Sequence, residues 1–221
     1  MKRLVIGLGT GRCGTKSLAY LLNLQSNVKV SHEMAPVFRF NKSEHWLPIC
    51  YSKIDEILSR EEQIVGDVAF CNLWRSEEIA DYHKNTVFVC LKRNKEEVVR
   101  SFTEKCLRNN HGVGCRNFWD DMWFVRVNGK KVRRRGSNWD QVFPNFSGRT
   151  LDDVISRYYD WYYEEVDKLE IDVKIFDIDD LNTVGGIIRI LDFVGVQSED
   201  RIIKTNIKIS HHMKEVLQNE N

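Results

Sequence analysis

The sequence predicts an α/β protein: a single domain with a central parallel sheet flanked by helices. Short apolar segments with the length of strands occur at residues 3–8, 28–31, 64–68, 87–91 and 173–176. The segment at residues 87–91 is a continuous apolar run, which is typical of a central strand buried on both faces. Helical periodicity returns between the segments. Alternation of strands with helices favours parallel pairing, because each helix supplies the crossover to the next strand.

The helices follow from apolar residues that recur every three or four positions and so share one face. Leucines within residues 18–22 form such a face directly after the first strand. The longest stripe runs through residues 151–169, and Thr150 with Asp153 resembles a capping box at its start. The predicted helices, in chain order, span residues 15–24, 54–58, 76–82, 96–108, 151–169, 187–194 and 210–217.

Residues 109–149 have weaker periodicity, and we expect an insertion here within one domain that spans residues 1–221. Asn128-Gly129 stands between two alternating segments, which is the strongest short signal of a β-hairpin. The hairpin has no acidic residue, and its cations are Arg126, Lys130, Lys131, Arg133, Arg134 and Arg135. These side chains could hold the phosphates of a ligand, steer an anionic acceptor or form a solvated charged surface.

The composition argues against several classes of protein. Of the 221 residues, 42% are hydrophobic and 29% are charged, which is ordinary usage for a globular chain. The net charge of +1 gives no support to a protein whose whole surface binds nucleic acid or a membrane. No apolar run approaches the roughly 18 residues of a membrane helix, and the short apolar start predicts a strand rather than a signal peptide. We therefore expect a cytoplasmic protein with no nucleic-acid or membrane partner.

The cysteines and the other metal-ligating residues show no metal pattern. The six cysteines contain no Cys-x-x-Cys pair, and most lie in apolar or helical segments. Buried thiols are therefore expected rather than zinc ligands or a disulfide framework. No other obvious cluster of metal ligands stands out in the sequence, so we expect no metal.

A glycine-rich turn at residues 7–18 lies between the first strand and the first helix. Glycines let backbone N–H groups approach a ligand, and the helix N-terminus adds partial positive charge, so the turn suits a phosphate. Arg12 and Lys16 add full charges, while Thr15 and Ser17 add hydroxyl groups. The candidate ligand-binding residues of this turn are Gly11, Arg12, Cys13, Gly14, Thr15, Lys16 and Ser17.

Two general nucleotide motifs compete for this turn. Gly9-x-Gly11-x-x-Gly14 matches the dinucleotide fingerprint, and Glu33 stands about where a ribose-binding carboxylate belongs. The separation of Gly9 from Gly14 also matches the phosphate-binding loop of nucleotide kinases. Against a kinase, Thr15 intervenes before the Lys-Ser pair, and residues 87–91 do not end in a magnesium-binding Asp. Asp67 is a poor substitute for that carboxylate.

A third interpretation fits the turn better. Residues 9–18 read Gly-x-x-Arg-x-Gly-Thr-x-Ser-Leu, which resembles the 5′-phosphosulfate-binding loop of the sulfotransferases. These enzymes use 3′-phosphoadenosine-5′-phosphosulfate (PAPS) as donor. In this chain Cys13 replaces a common Ser and Lys16 replaces a common Thr, although a basic residue there is similar to the heparan-type branch of the family.

Two further segments support the same resemblance. Residues 87–102 are similar to the family's 3′-phosphate site, which is a buried strand, an Arg and a Ser eight residues later; Arg93 and Ser101 have that separation. A guanidinium gives a phosphate paired donors, and a serine near the start of a helix adds a hydroxyl. Residues 173–196 resemble the strand with an acidic-Asp-Leu end and the helix with a Phe-Leu-Gly end that sulfotransferases commonly carry; this chain has Phe193-Val194-Gly195 there.

The resemblance implies a fold related in plan to that of P-loop kinases and a PAPS-dependent sulfotransferase activity without a metal. The acceptor would be a hydroxyl or amine of a small molecule or carbohydrate. Arg12 occupies the family position that stabilises charge on the leaving oxygen, and Lys16 could assist it. Asp67 and Arg134 are candidate substrate contacts. A P-loop kinase and a nucleic-acid-binding module that uses the basic hairpin remain as alternatives.

The general base is expected at the end of the second strand. Carboxyl ends of strands in an open α/β sheet face the ligand crevice, so His32 and Glu33 should emerge beside the glycine-rich turn. Relatives use a His or a Glu from this region. Neighbouring residues of a strand point to opposite faces, so one of the two should reach the acceptor, with Glu33 placed first. Asp67, at the end of the third strand, is the reserve candidate.

Overall fold

The computed structural model describes residues 2–35, 37–38, 44, 47–109, 122–127, 130–135, 146 and 148–205, with the backbone alone at 106–109, 122–127 and 130–135. The strands are β1 (Arg3–Leu8), β2 (Val28–His32), β3 (Ile64–Val68), β4 (Thr86–Lys92), β5 (Met122–Val127), β6 (Lys130–Arg135) and β7 (Val173–Asp177). The helices are α1 (Thr15–Asn23), α2 (Leu47–Leu58), α3 (Ser76–Tyr82), α4 (Lys95–Asn109), α5 (Leu151–Asp167) and α6 (Val184–Val194). Shorter 3₁₀ turns occur at Phe70–Arg75, Ile178–Asn182 and Ser198–Asp200.

The predicted fold class is confirmed. Five strands form a parallel sheet in the order β2-β3-β1-β4-β7, with β1 at the centre. Since β1 and β4 are direct neighbours, the turns that follow them emerge side by side at the carboxyl edge of the sheet. The chain passes from β1 to β2 on one side and returns to the other side for β4, so ligand-binding turns are expected where the order reverses.

Helices cover both faces of the sheet. Side chains of β1 alternate, so that Leu4, Ile6 and Leu8 join one buried cluster and Val5 joins the other. The first cluster takes apolar residues from α2, α3, α4 and α5, and the second takes them from α1 and α6. Among the described residues, no helix combines the length and the apolar character that crossing a membrane requires.

Element boundaries differ from the predictions where apolar spacing is a weak guide. Helix α2 begins at Leu47, earlier than predicted, because Cys50 and Lys53 are buried with the apolar residues of its later turns. Helix α6 begins at Val184, where the Thr183 side chain caps the N–H of Gly186. The capping box of α5 is confirmed, since Thr150 and Asp153 exchange hydrogen bonds of 3.1 Å.

The predicted hairpin is present as an antiparallel pair of β5 and β6, with Val127 opposite Lys130. Much of the predicted insertion at residues 109–149 and the helix predicted at residues 210–217 lie outside the described residues. The extent of the insertion therefore stays a prediction.

Two adjacent glycines of α6 offer a test of the packing against the 3₁₀ turn at Ile178–Asn182. A Cβ at Gly186 would lie 2.2 Å from the carbonyl oxygen of Asp180, whereas a Cβ at Gly185 would lie in ordinary contact, 3.6 Å from Arg189. We expect Gly186→Ala to lower the free energy of unfolding by about 1–3 kcal/mol, since the backbone must move. Gly185→Ala should raise it by about 0.5–1 kcal/mol through helix propensity. Urea denaturation of both variants measures the difference; equal effects would show that Gly186 does not limit the packing.

Candidate active site

The glycine-rich turn between β1 and α1 adopts a backbone that few side chains tolerate. The φ angles are 141° at Gly9, 80° at Gly11, 59° at Arg12 and 95° at Gly14. A Cβ at Gly14 would also lie 3.1 Å from the side chain of Ile178. Arg12 is the non-glycine member of this group, and a strained backbone at a cation indicates a functional site.

The N-terminus of α1 opens onto this turn. Gly14 is the N-cap residue and has no side chain with which to cap the first N–H groups of the helix. The first turn of α1 has no acidic residue, and Lys16 within it is exposed. A helix end with uncapped N–H groups and neighbouring cations attracts an anion.

The structure brings Arg12, Arg93 and Ser101 together, although they lie in different parts of the sequence. The Arg12 Nε donates a hydrogen bond of 3.0 Å to Ser101 Oγ, and Arg93 Nη1 donates one of 3.2 Å to the Arg12 carbonyl. Arg93 Nε also lies 2.7 Å from Glu97 Oε2. The turn after β1 and the start of α4 therefore form one polar surface at the carboxyl edge of the sheet.

Cys13 lies beneath the turn as a structural side chain. It is fully buried, and burial raises the pKa of its thiol to about 11. The thiol is therefore neutral at physiological pH and is not an activated nucleophile. Among the described residues, no group of three or more Asp, Glu, His or Cys side chains could hold a metal ion.

Tyrosines of α5 form hydrogen bonds with the turn after β1 and with the turn after β4. Tyr158 and Tyr162 contact the turn after β1, while Tyr159 donates a hydrogen bond of 2.6 Å to the Arg93 carbonyl. In the sequence this stripe indicates only an apolar face. A signal for the contacts is present all the same, because a buried tyrosine hydroxyl requires a hydrogen-bond partner.

The two candidate bases at the end of β2 have different surroundings. His32 Nε2 lies 3.1 Å from Thr15 Oγ1, and burial lowers the pKa of the imidazole. Glu33 is exposed, has a φ of 54°, and donates its N–H to the Val68 carbonyl at 3.1 Å. His32 is thus directed at the start of α1, while Glu33 stands at the open edge of the sheet.

Asp67, the reserve candidate, is held inside the protein. Its Oδ2 lies 2.9 Å from Lys53 Nζ, and both side chains are 1% exposed. Its Oδ1 accepts the N–H of Met34 at 3.0 Å, and Asn72 donates to its carbonyl at 3.0 Å. Lys53 also lies over the ring of Phe38, 4.3 Å from the centroid. The geometry gives Asp67 the position of a residue that fixes the segment after β2.

Arg134 belongs to a different part of the structure. It lies in β6, at the register position opposite Trp123 of β5, in a two-stranded sheet separate from the parallel sheet. Its assignment as a substrate contact, like the roles of the other site residues, stays a prediction.

Comparisons with known proteins identify the family of the chain. A family model for the sulfotransferase domain matches residues 4–181, so the chain belongs to this sulfotransferase family. The structure is also similar to the crystal structure of a sulfotransferase from Alicyclobacillus acidocaldarius, with a TM-score of 0.57 and 14% sequence identity over 100% of this chain and 91% of that chain. That likeness supports the fold. No curated protein matches the chain by sequence. The predicted family is confirmed, and membership supports sulfotransfer as the general activity.

His32 gives the site a pH-dependent contribution to stability. Because burial lowers its pKa below 6.5 in the folded protein, this contribution is present above pH 6.5 and is lost as the pH falls through the lowered value. Between about pH 7.5 and about pH 5.5 we expect the melting temperature to fall further in the wild type than in His32→Gln. Circular dichroism melts of both proteins measure this, and parallel pH profiles would contradict a buried neutral imidazole.

Proposed function

We propose that the protein transfers a sulfuryl group from PAPS to a hydroxyl or amine of a small-molecule or carbohydrate acceptor. The observation that carries the proposal is the contact of Arg12 with both Ser101 and Arg93. This contact joins the turn after β1, which the family uses for the 5′-phosphosulfate, to the end of β4, which the family uses for the 3′-phosphate. The proposal extends the sulfotransferase family assignment to a donor and an acceptor class.

The residues at this edge suit a donor with two anionic groups. At one end lie the N-terminus of α1 and the cations Arg12 and Lys16. The backbone turn between them is tight, since a Cβ at Gly14 would lie 3.1 Å from the side chain of Ile178. At the other end, the Arg93 guanidinium has more N–H donors than its contacts with Glu97 and Arg12 use. Ser101 adds a hydroxyl that contacts Arg12.

The chemistry assigned to the chain follows from where charge develops. As the sulfuryl group leaves, negative charge builds on the bridging oxygen, and a fixed guanidinium there stabilises the transition state more than the ground state. Arg12 is assigned this role. The acceptor must lose a proton, and Glu33 is assigned as the base because it is exposed at the open edge of the sheet while His32 contacts Thr15.

The surroundings of Asp67 bear on the kinase alternative. A kinase needs a carboxylate near the phosphate turn to hold magnesium. Asp67 ends the strand next to β1, but an ammonium group, Lys53 Nζ, already lies 2.9 Å from its Oδ2. The carboxylate therefore has a cationic partner from the protein itself, which favours sulfotransfer over phosphoryl transfer.

The donor site is tested by titrating adenosine 3′,5′-bisphosphate, without magnesium, into the wild type, Arg93→Ala and Arg100→Ala. Loss of a charge-assisted pair with a phosphate costs about 1.5–3 kcal/mol, so Arg93→Ala should bind roughly ten- to a hundredfold more weakly. Arg100 is exposed on α4, the helix that follows Arg93, and serves as the control. We expect its replacement to leave the affinity unchanged.

Other ligands in the same calorimeter separate the alternatives. Tighter binding of ADP with magnesium than of the bisphosphate would favour a kinase. Salt-dependent binding of an oligonucleotide would favour a nucleic-acid-binding module. Equal affinities of the Arg93 and Arg100 variants for the bisphosphate would contradict the assignment of the 3′-phosphate site.

The base is tested with Glu33→Gln and His32→Ala at saturating PAPS, with an acceptor found by screening hydroxyl and amine compounds. Removal of a general base should lower turnover by about a hundredfold or more and leave the bisphosphate affinity unchanged. We expect this result for Glu33→Gln and a smaller loss for His32→Ala. Near-normal turnover in both variants would show that the base lies elsewhere, and Asp67 would then be replaced next.

A further inference from the structure

We propose that Tyr158, Tyr159 and Tyr162 of α5 are positioning residues that fix the separation between the two phosphate-binding turns. The inference rests on the proposed function, because it assumes a nucleotide that has a phosphate on each side of the ribose. It adds a role for a helix that lies beneath the turns, on residues that the sequence motifs do not include.

The turn after β1 is attached to α5 at two neighbouring residues. The Tyr158 hydroxyl donates a hydrogen bond of 3.0 Å to the Thr10 carbonyl. The Tyr162 hydroxyl accepts the N–H of Gly9 at 2.9 Å and donates to the Phe70 carbonyl at 2.8 Å. Tyr162 thereby joins the turn after β1 to the segment that follows β3.

The turn after β4 is attached to the same helix. The Tyr159 hydroxyl donates a hydrogen bond of 2.6 Å to the Arg93 carbonyl. The next residue of α5, Asp160, pairs with Lys95 at the start of α4, at 2.6 Å. The backbone from which the Arg93 side chain extends is therefore fixed on both sides.

The sheet itself does not extend to these turns. The ladder between β1 and β4 ends at the pair Leu8 and Cys90, and the carbonyls of Thr10 and Arg93 lie beyond it. Both carbonyls accept hydrogen bonds from α5, which is 17 residues long and buries its tyrosines. One rigid helix is thus bonded to both turns, so their separation does not depend on flexible backbone alone.

A fixed separation matters only to a ligand that contacts both turns at once. For such a ligand, preorganised sites avoid the ordering cost that loose sites must pay on binding. A ligand with a single phosphate occupies one turn and gains nothing from the distance to the other. If the tyrosines had a purely structural role, their loss would weaken both kinds of ligand alike. A loss confined to the ligand with two phosphates therefore indicates a positioning role.

The experiment compares Tyr159→Phe with Tyr82→Phe as a control. Tyr82 ends α3 and donates a similar hydrogen bond, of 2.8 Å, but to Asp55 of α2 rather than to a turn. Each variant loses one hydroxyl and keeps its aromatic ring, so a general effect of hydroxyl removal would appear in both. Affinities are measured by calorimetry or NMR titration for adenosine 3′,5′-bisphosphate, adenosine 5′-monophosphate and adenosine 3′-monophosphate.

We expect Tyr159→Phe to bind the bisphosphate about three- to tenfold more weakly, the equivalent of one lost hydrogen bond, and to bind both monophosphates within about twofold of the wild type. Tyr82→Phe should bind all three ligands as the wild type does. An unchanged bisphosphate affinity in Tyr159→Phe, an equal loss in Tyr82→Phe, or an equal loss for a monophosphate would each overturn the inference. If the wild type does not bind the bisphosphate, the proposed function fails. If the wild type binds it and Tyr159→Phe binds it equally well, only the inference fails.

Discussion

Backbone carbonyls at the carboxyl edge of the sheet are buried under α5, and a buried carbonyl without a donor costs about 1–3 kcal/mol. The strand ladder cannot supply donors there, because the chain turns away from the sheet after Leu8. The hydroxyls of α5 supply them instead, at Thr10 and Arg93. A helix of purely aliphatic residues would bury the same area and leave these oxygens without partners. Stability and the shape of the site therefore depend on the same hydrogen bonds.

Charge is divided between the interior and the edge of the sheet. The buried pair of Lys53 and Asp67 is neutral as a unit, and loss of either partner would leave an uncompensated buried charge at a cost of about 3–5 kcal/mol. Arg12 and Arg93 lie at the edge, where water screens their repulsion and Glu97 offsets part of it. This arrangement leaves cations at the edge where the donor is proposed to bind, while the charges of the buried pair cancel.

The sequence predicted the strands and the glycine-rich turn, because each depends on local spacing. The partner of Arg12 and the bonds of α5 depend on which strands are neighbours, which periodicity does not report. Lys53 shows the same limit: a lysine on an amphipathic helix is ordinarily exposed, and only the position of Asp67 in β3 explains its burial. Tyrosines within an apolar stripe count as apolar in a pattern, although their hydroxyls carry the specific contacts.

The strand order separates the residues assigned to the two substrates. Arg12 and Arg93 follow the inner strands β1 and β4, whereas Glu33 follows β2, the outermost strand on its side of the sheet. The segment after β2 is attached through Lys53 and Asp67, and these residues make none of the contacts of Arg93 or Ser101. Substitutions or insertions in that segment can therefore accumulate without moving the inner turns. Under the proposed function, the acceptor side of the site can therefore change while the donor side stays the same.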